Sequence, residues 1–136
     1  FFIGRGADYA AAKESALKLK EISYIHADCY PAGELKHGTI SLIEKGSVVI
    51  AIATDKELLN KTSGSILEVK ARGAFTIGIS PYELDCCDIT IKLPAADFYS
   101  PLLATVACQL ISYYAALHRG CDIDKPRNLA KSVTVE

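Results

Sequence analysis

Short apolar runs that alternate with helical patterns are the feature that most constrains the fold of this 136-residue chain. Four such runs are predicted to be strands: residues 1–3, 47–53, 74–79 and 88–93. The second is almost continuously apolar, which predicts a strand buried on both faces, as in a parallel sheet. The fourth alternates polar and apolar residues, as an edge strand does. Strands that alternate with helices predict a three-layer α/β domain with a mainly parallel sheet.

Three amphipathic helices are predicted, over about 8–26, 56–72 and 101–119. Spacings of three and four residues define one buried face on each helix. On the first helix these positions are Ala12, Ala16, Leu19, Ser23 and His26; on the second, Leu59, Thr62, Ile66 and Val69; on the third, Leu103, Val106, Leu110 and Leu117. The pattern Thr54-x-x-Glu57 predicts a capping box, Ser100 a helix cap, and Gly73 and Gly120 helix ends.

Composition excludes several classes of function. Fifteen basic and 16 acidic residues give a net charge of −1, which argues against a general nucleic-acid or acidic-membrane binder. No run of 18 apolar residues and no secretory signal pattern occurs, so we expect a cytoplasmic protein without a membrane-spanning helix. Five cysteines in a spacing that fits neither a zinc site nor a disulfide scaffold predict reduced thiols. A start on an apolar strand, without Met, predicts a fragment of a longer protein.

Lys18 and Glu21 are three residues apart on the first helix, and Glu14 precedes Lys18 by four, so the three share one face. They are either an ordinary solvated ion-pair face or a carboxylate base with a cation beside it. In the second case the base moves a proton next to a carbonyl, and the lysine offsets the developing enolate charge.

Three other segments leave two interpretations open. Gly4-Arg5-Gly6 follows the first strand and is either a tight turn or a loop that faces an anionic ligand. His37 lies outside the regular elements and is either a surface residue or an acid–base group that titrates near neutrality. Arg127, Asn128 and Lys131 are in a polar tail that is either solvated or functional.

Three motifs carry a resemblance to a known family: KLKEISYIHA (18–27), AGELKHG (32–38) and PRNLAKSVTVE (126–136). In this order and spacing they resemble the C-terminal sugar-isomerase half of the glucosamine-6-phosphate synthases, the glutamine–fructose-6-phosphate aminotransferases. The resemblance covers essentially the whole chain. It implies a single sugar isomerase (SIS) domain over 1–136, with 122–136 as an ordered tail and five parallel strands flanked by helices. Only four strands are evident, and we expect the fifth near 40–43 or between Tyr99 and the tail.

The resemblance also implies a function. The family makes glucosamine 6-phosphate from fructose 6-phosphate and glutamine, at the entry to hexosamine synthesis, as a homodimer without a cofactor or metal. A longer enzyme would supply a glutaminase domain and a first SIS domain as partners, and neither nucleic acid nor a membrane is expected to bind. By motif, the resemblance implies that Glu21 transfers the proton between C1 and C2, with Lys18 beside it. It implies that His37 opens the sugar ring across the dimer. In the tail, Lys131 and Ala130 would lie against the sugar, and Arg127 would order the tail.

Two departures from the family pattern matter. Where the family's first SIS domain has a phosphate cradle of the type S-x-S-G-E-T, residues 53–59 read ATDKELL, and Thr39 follows Gly38 where a proline is common. The chain therefore resembles the proton-transfer half of a site without its phosphate half. Other interpretations are a non-catalytic sugar-phosphate sensor or dimerisation module, a deglycase or related aldose–ketose isomerase, and a flavodoxin-like nucleotide binder.

Overall fold

The computed structural model describes residues 1–129 and contains one five-stranded sheet in which every pairing is parallel. The strands are β1 (Phe2–Gly4), β2 (Cys29–Pro31), β3 (Val48–Ile52), β4 (Phe75–Ser80) and β5 (Ile89–Lys92), and their order across the sheet is β2-β1-β3-β4-β5. The helices are α1 (Ala7–Ser23), α2 (Leu59–Lys70) and α3 (Ser100–His118). Short 3-10 helices span Leu35–His37, Thr39–Leu42 and Asp97–Tyr99. The predicted α/β class and parallel sheet are confirmed.

Two apolar clusters fill the spaces between the three layers, one on each face of the sheet. One contains residues of α1 and α3 against Phe2, Ile50 and Ile79. The other contains Ile66 and Val69 of α2 with the opposite faces of β1 and β3. Helices α1 and α3 therefore cover one face of the sheet, and α2 with the 3-10 segments covers the other.

The fifth strand is β2, so both predicted locations for it were wrong. Residues 39–42 form a 3-10 helix instead of a strand. Strand β2 has only three residues and is recognisable by its pairing, with Cys29 beside Phe2 and Pro31 beside Gly4. A strand this short has no periodicity for a sequence pattern to reveal.

Helix α1 ends at Ser23 instead of His26. Tyr24 takes the left-handed conformation (φ 58°), and its N–H donates to the Lys20 carbonyl, which stops the helix. His26 therefore lies beyond the helix, with 86% of its side chain exposed and Nε2 3.2 Å from Asp28 Oδ2. The predicted burial of His26 was wrong, whereas the buried positions Ala12, Ala16, Leu19 and Ser23 are confirmed.

The buried face of α3 is the reverse of the predicted one. Val106, Leu110 and Leu117 are each more than half exposed, and only Leu103 of the predicted set packs against the core. The buried positions are small: Ser100, Ala104, Cys108, Ser112 and Ala116. They pack against the small residues of α1, and this close approach of two helices leaves no room for leucine between them.

Two predicted caps were also wrong. The Thr54 hydroxyl donates to Asp8 instead of capping α2, while the Asp55 carboxylate accepts the backbone N–H groups of Glu57 (2.8 Å) and Leu58 (3.4 Å). Ser100 is the first residue of α3, and the N-cap position belongs to Tyr99.

Within residues 1–129, one helical segment, Asp97–His118, is long and apolar enough to cross a membrane by length and composition alone. Core helices of globular domains meet the same criterion. One face of α3 packs on α1.

Candidate functional site

The direction of α1 decides where its charged residues lie. Strand β1 ends at Gly4 and α1 begins at Ala7, so the helix starts at the carboxyl edge of the sheet. It runs back to the amino edge, because β2 begins at Cys29, directly beside the start of β1. Glu21 is 14 residues beyond Ala7, about 20 Å along the helix axis. The Lys18–Glu21 pair is therefore at the amino edge, away from the carboxyl edge where parallel sheets usually bind ligands.

Lys18 and Glu21 form a close ion pair. Lys18 Nζ is 2.7 Å from Glu21 Oε2 and 3.5 Å from Glu14 Oε1. The hydrogen bond with Glu21 is the main reason why the pKa of Lys18 is raised above its usual value, which keeps the lysine cationic. The side chains of Lys18 and Glu21 are 34% and 24% exposed, so a ligand can reach both.

The polar tail returns to this end of α1. The backbone N–H of Arg127 donates to the Tyr24 hydroxyl at 2.8 Å, and the Arg127 guanidinium lies 4.2 Å from the centre of the Tyr24 ring. Cys121 Sγ is 3.8 Å from the Ser23 carbonyl. Arg127 therefore approaches α1 less than one turn beyond Glu21. Ala130 and Lys131 lie outside the described residues.

Tyr24 is the anchoring residue that the sequence analysis missed. Its ring takes a cation–π contact and its hydroxyl accepts a hydrogen bond, both from Arg127. The available signal was its position three residues after Glu21 within the KLKEISYIHA motif.

His37 lies at the opposite edge of the sheet. It ends the 3-10 helix that follows β2, its side chain is 72% exposed, and Nδ1 is 2.7 Å from Glu34 Oε2. Among the contacts of residues 1–129, none joins His37 to Lys18 or Glu21. One chain thus brings Lys18, Glu21 and Arg127 together and leaves His37 apart.

A cleft of about 710 Å³ lies at the carboxyl edge, between α1, the loops after β3 and β4, and the start of α3. At its base is Asp8, only 2% exposed, which accepts hydrogen bonds from Thr54 N (2.7 Å), Thr54 Oγ1 (2.5 Å) and Asp55 N (3.3 Å). These backbone N–H groups belong to the loop after β3, whose sequence ATDKELL departs from the phosphate-cradle pattern. A carboxylate of the chain itself satisfies them, so this loop has no cradle to offer an anion.

Three of the five cysteines, Cys29, Cys87 and Cys108, are unsuited to nucleophilic chemistry. Burial raises the pKa of Cys29 and of Cys87 to about 12 and that of Cys108 to about 11, which keeps these thiols protonated. None of the five cysteines is in a disulfide. Residues 1–129 contain no cluster of three or more His, Cys, Asp or Glu side chains that could hold a metal ion.

Comparison with known families defines the class of protein. The family described as "SIS domain" matches residues 1–119, nearly all of the described chain. Together with the parallel sheet in the order β2-β1-β3-β4-β5, this match shows that the chain belongs to the SIS domain family.

Individual relatives are more specific. The chain is 55% identical over 141 residues to a glutamine–fructose-6-phosphate aminotransferase (isomerizing) of Clostridium tetani, and 58% identical over 137 residues to that of Bacillus subtilis. Each alignment covers all of this chain and 23% of the relative, so the chain spans about a quarter of the length of these relatives.

A solved C-terminal domain of glucosamine-fructose-6-phosphate aminotransferase from Francisella tularensis superposes with a TM-score of 0.84. It is 43% identical and matches 91% of this chain and 36% of that one. A glucosamine-6-phosphate deaminase from Thermotoga maritima gives a TM-score of 0.77 at 29% identity, over 97% of this chain and 39% of that one. The expected resemblance to the aminotransferases is confirmed.

Proposed function

We propose that this domain supplies the proton-transfer half of the site that converts fructose 6-phosphate and glutamine to glucosamine 6-phosphate. The observation that carries the proposal is the 2.7 Å Lys18–Glu21 pair, accessible at the end of α1 where Arg127 anchors the tail. Relatives named for this reaction align with the chain from end to end.

Each residue has a distinct role in the proposed reaction. The Glu21 carboxylate takes a proton from one of the adjacent carbons C1 and C2 and delivers it to the other, so that one base serves both. The Lys18 ammonium offsets the negative charge of the enediolate that forms between the two transfers. His37 opens the sugar ring, while Lys131 and Ala130 contact the sugar from the tail that Arg127 orders through Tyr24.

The sugar phosphate requires a second protein surface. Glu21 lies at the amino edge, and the N–H groups of Thr54 and Asp55 in the loop after β3 donate to Asp8. Residues 1–129 therefore offer no phosphate cradle beside this base. We assign the phosphate cradle to a first SIS domain in a longer enzyme, the ammonia supply to a glutaminase domain, and the location to the cytoplasm.

Helix α3 offers the surface for this assembly. Its outer face and the 3-10 helix that precedes it are apolar, and the following side chains are each more than half exposed: Phe98, Tyr99, Leu102, Val106, Leu110, Tyr114 and Leu117. A contiguous exposed apolar face of this kind marks an interaction site. The three quarters of the relatives' length that lies outside this chain supplies the partner domain.

A chimeric enzyme tests the function directly. The matching segment of the Bacillus subtilis aminotransferase is replaced by this chain, and glucosamine 6-phosphate formation is measured. We expect an active chimera in which Glu21→Gln lowers kcat by about 10²–10⁴-fold, the usual contribution of a general base. Glu14→Gln is the matched control, because Glu14 also contacts Lys18, and it should retain near-normal turnover. Normal turnover with Glu21→Gln would favour the non-catalytic SIS module instead.

Mixed dimers test the placement of His37. Chimeras with Glu21→Gln and with His37→Gln are each expected to be inactive, but dimers that contain one of each have one site with both groups intact. Recovery of activity on mixing supports a site shared between subunits. If the mixed variants remain inactive after subunit exchange has been verified, the site is not shared between subunits in this way.

A further inference from the structure

We propose that a second, smaller pocket on the α2 side of the sheet binds a phosphate-type dianion. The pocket measures about 320 Å³ and lies at the carboxyl edge, between the loops after β1 and β2 and one face of α2. Its lining includes Arg5, Gly33, Lys36, Lys61, Ser65 and Glu68. It is on the opposite edge of the sheet from Glu21 and does not depend on the function proposed above.

Arg5 is the centre of this pocket. Its Nη2 donates to Ser65 Oγ at 3.1 Å, and within residues 1–129 no carboxylate lies within salt-bridge distance of its guanidinium. Its Nε is buried and has no hydrogen-bond partner among the described residues. A buried donor without a partner is costly, and a planar guanidinium matches the geometry of phosphate oxygens. An anion seated against Arg5 would compensate this charge.

The remaining charges of the pocket favour an anion with two negative charges. Three cationic side chains and one carboxylate line the pocket, a net charge of +2. Lys36 Nζ is 2.6 Å from Glu68 Oε1, so Glu68 neutralises Lys36. Arg5 and Lys61 therefore supply the uncompensated charge, and no other acidic side chain lines the cavity.

Two glycines keep the pocket open. A Cβ atom on Gly33 would lie 2.8 Å from Arg5 Nη1 and would displace the guanidinium. A Cβ on Gly64, in the middle of α2, would have no neighbour within 4 Å, so this position faces free space. Glycine is unfavourable inside a helix, and here its absence of a side chain leaves the pocket accessible.

The test titrates the whole chain with inorganic phosphate as the probe. Binding is monitored through the backbone amide chemical shifts at constant ionic strength. We expect saturable shifts confined to residues 4–6, 32–36 and 60–68, with a dissociation constant on the order of 1–10 mM, as a few charged hydrogen bonds allow. Acetate at the same concentration should shift these amides at least tenfold less. Fructose 6-phosphate as a second probe distinguishes a monoester site, if it binds at least as tightly, from an inorganic phosphate site.

Gly64→Glu places a carboxylate at the mouth of the pocket without disturbing packing, and should weaken phosphate binding at least tenfold. Gly64→Gln is the neutral control and should bind phosphate like the parent. The midpoint of thermal unfolding of Gly64→Glu and of Gly64→Gln should equal or exceed that of the parent. Arg5→Gln should abolish binding, whereas Arg119→Gln, the same change at the end of α3, and Glu21→Gln should not affect it. Absence of saturable shifts, equal binding of acetate, or full binding by Gly64→Glu would overturn the proposal.

Discussion

At the scale of single residues, carboxylates organise this domain by accepting several hydrogen bonds each. Asp88, just before β5, accepts from Thr76 N and Thr76 Oγ1, both at 2.7 Å, and its Oδ1 is 2.8 Å from Lys70 Nζ. It thereby joins β4, β5 and the end of α2. The pKa of Asp88 is lowered from 3.8 to about 2. The main cause is the hydrogen bond from Lys70, and the hydrogen bonds from Thr76 come next. Asp88 differs from Glu21, whose single close partner is a lysine and for which we propose a chemical role.

The lowered pKa of Asp88 predicts a pH dependence of stability. The unfolded chain binds this proton more readily than the folded one, so the stabilisation is fully present above about pH 4 and is lost as the pH falls to about 2. Lys70→Met should raise the pKa of Asp88 and flatten this part of the profile. Carboxyl chemical shifts and urea unfolding between pH 2 and 7 measure both effects. An unchanged Asp88 titration in Lys70→Met would contradict the assignment.

At the scale of elements, the contact between α1 and α3 depends on small side chains. Ala12 and Ala16 of α1 and Ala104 and Cys108 of α3 are all 2% exposed or less. Hydroxyls in the same interface are satisfied within their own helices, as Ser15 donates to the Ala11 carbonyl and Ser112 to the Cys108 carbonyl. The helices can approach closely because these side chains are small and both hydroxyls donate within their own helix.

This interface predicts a large effect for one substitution on α3 and a small effect for another. Ala104→Leu should destabilise the domain by about 1–3 kcal/mol, because it overpacks a filled contact. Leu110→Ala, on the outer face, should change the stability of the monomeric chain by no more than about 0.5 kcal/mol. Urea unfolding at a concentration where the chain is monomeric measures both free energies. A larger loss for Leu110→Ala than for Ala104→Leu would mean that the leucine stripe is the buried face after all.

At the scale of the whole molecule, the surfaces of the domain agree with the proposed role as one component of a longer enzyme. Its candidate base is at the amino edge, its large cleft is at the carboxyl edge, and α3 exposes an apolar face. Relatives four times as long match the chain throughout its length. These features agree with a site that is completed between SIS domains.

The apolar face predicts self-association of the chain when its partner domain is absent. Sedimentation velocity should show a concentration-dependent shift from monomer to dimer. Leu110→Glu should keep the chain monomeric, because a charge in an apolar contact is costly. Leu17→Glu, at a similarly exposed leucine of α1, is the control and should leave association unchanged. Equal association of both variants would place the contact elsewhere.

Local patterns in the sequence were sufficient for the strand–helix alternation, the parallel sheet and the proximity of Lys18 to Glu21. They also gave the buried stripes of α1 and α2, apart from the exposed His26 and the half-buried Leu59. These features depend on residues a few positions apart along the chain. The tertiary structure alone decided the location of β2, the face of α3 that is buried, the pairing of Asp8 with the Thr54 loop and the contact of Arg127 with Tyr24. Each of these joins distant segments. Apolar periodicity indicates that a surface will be covered, but the close packing available to alanine and serine determined that α1 covers the small face of α3 and left the leucines exposed.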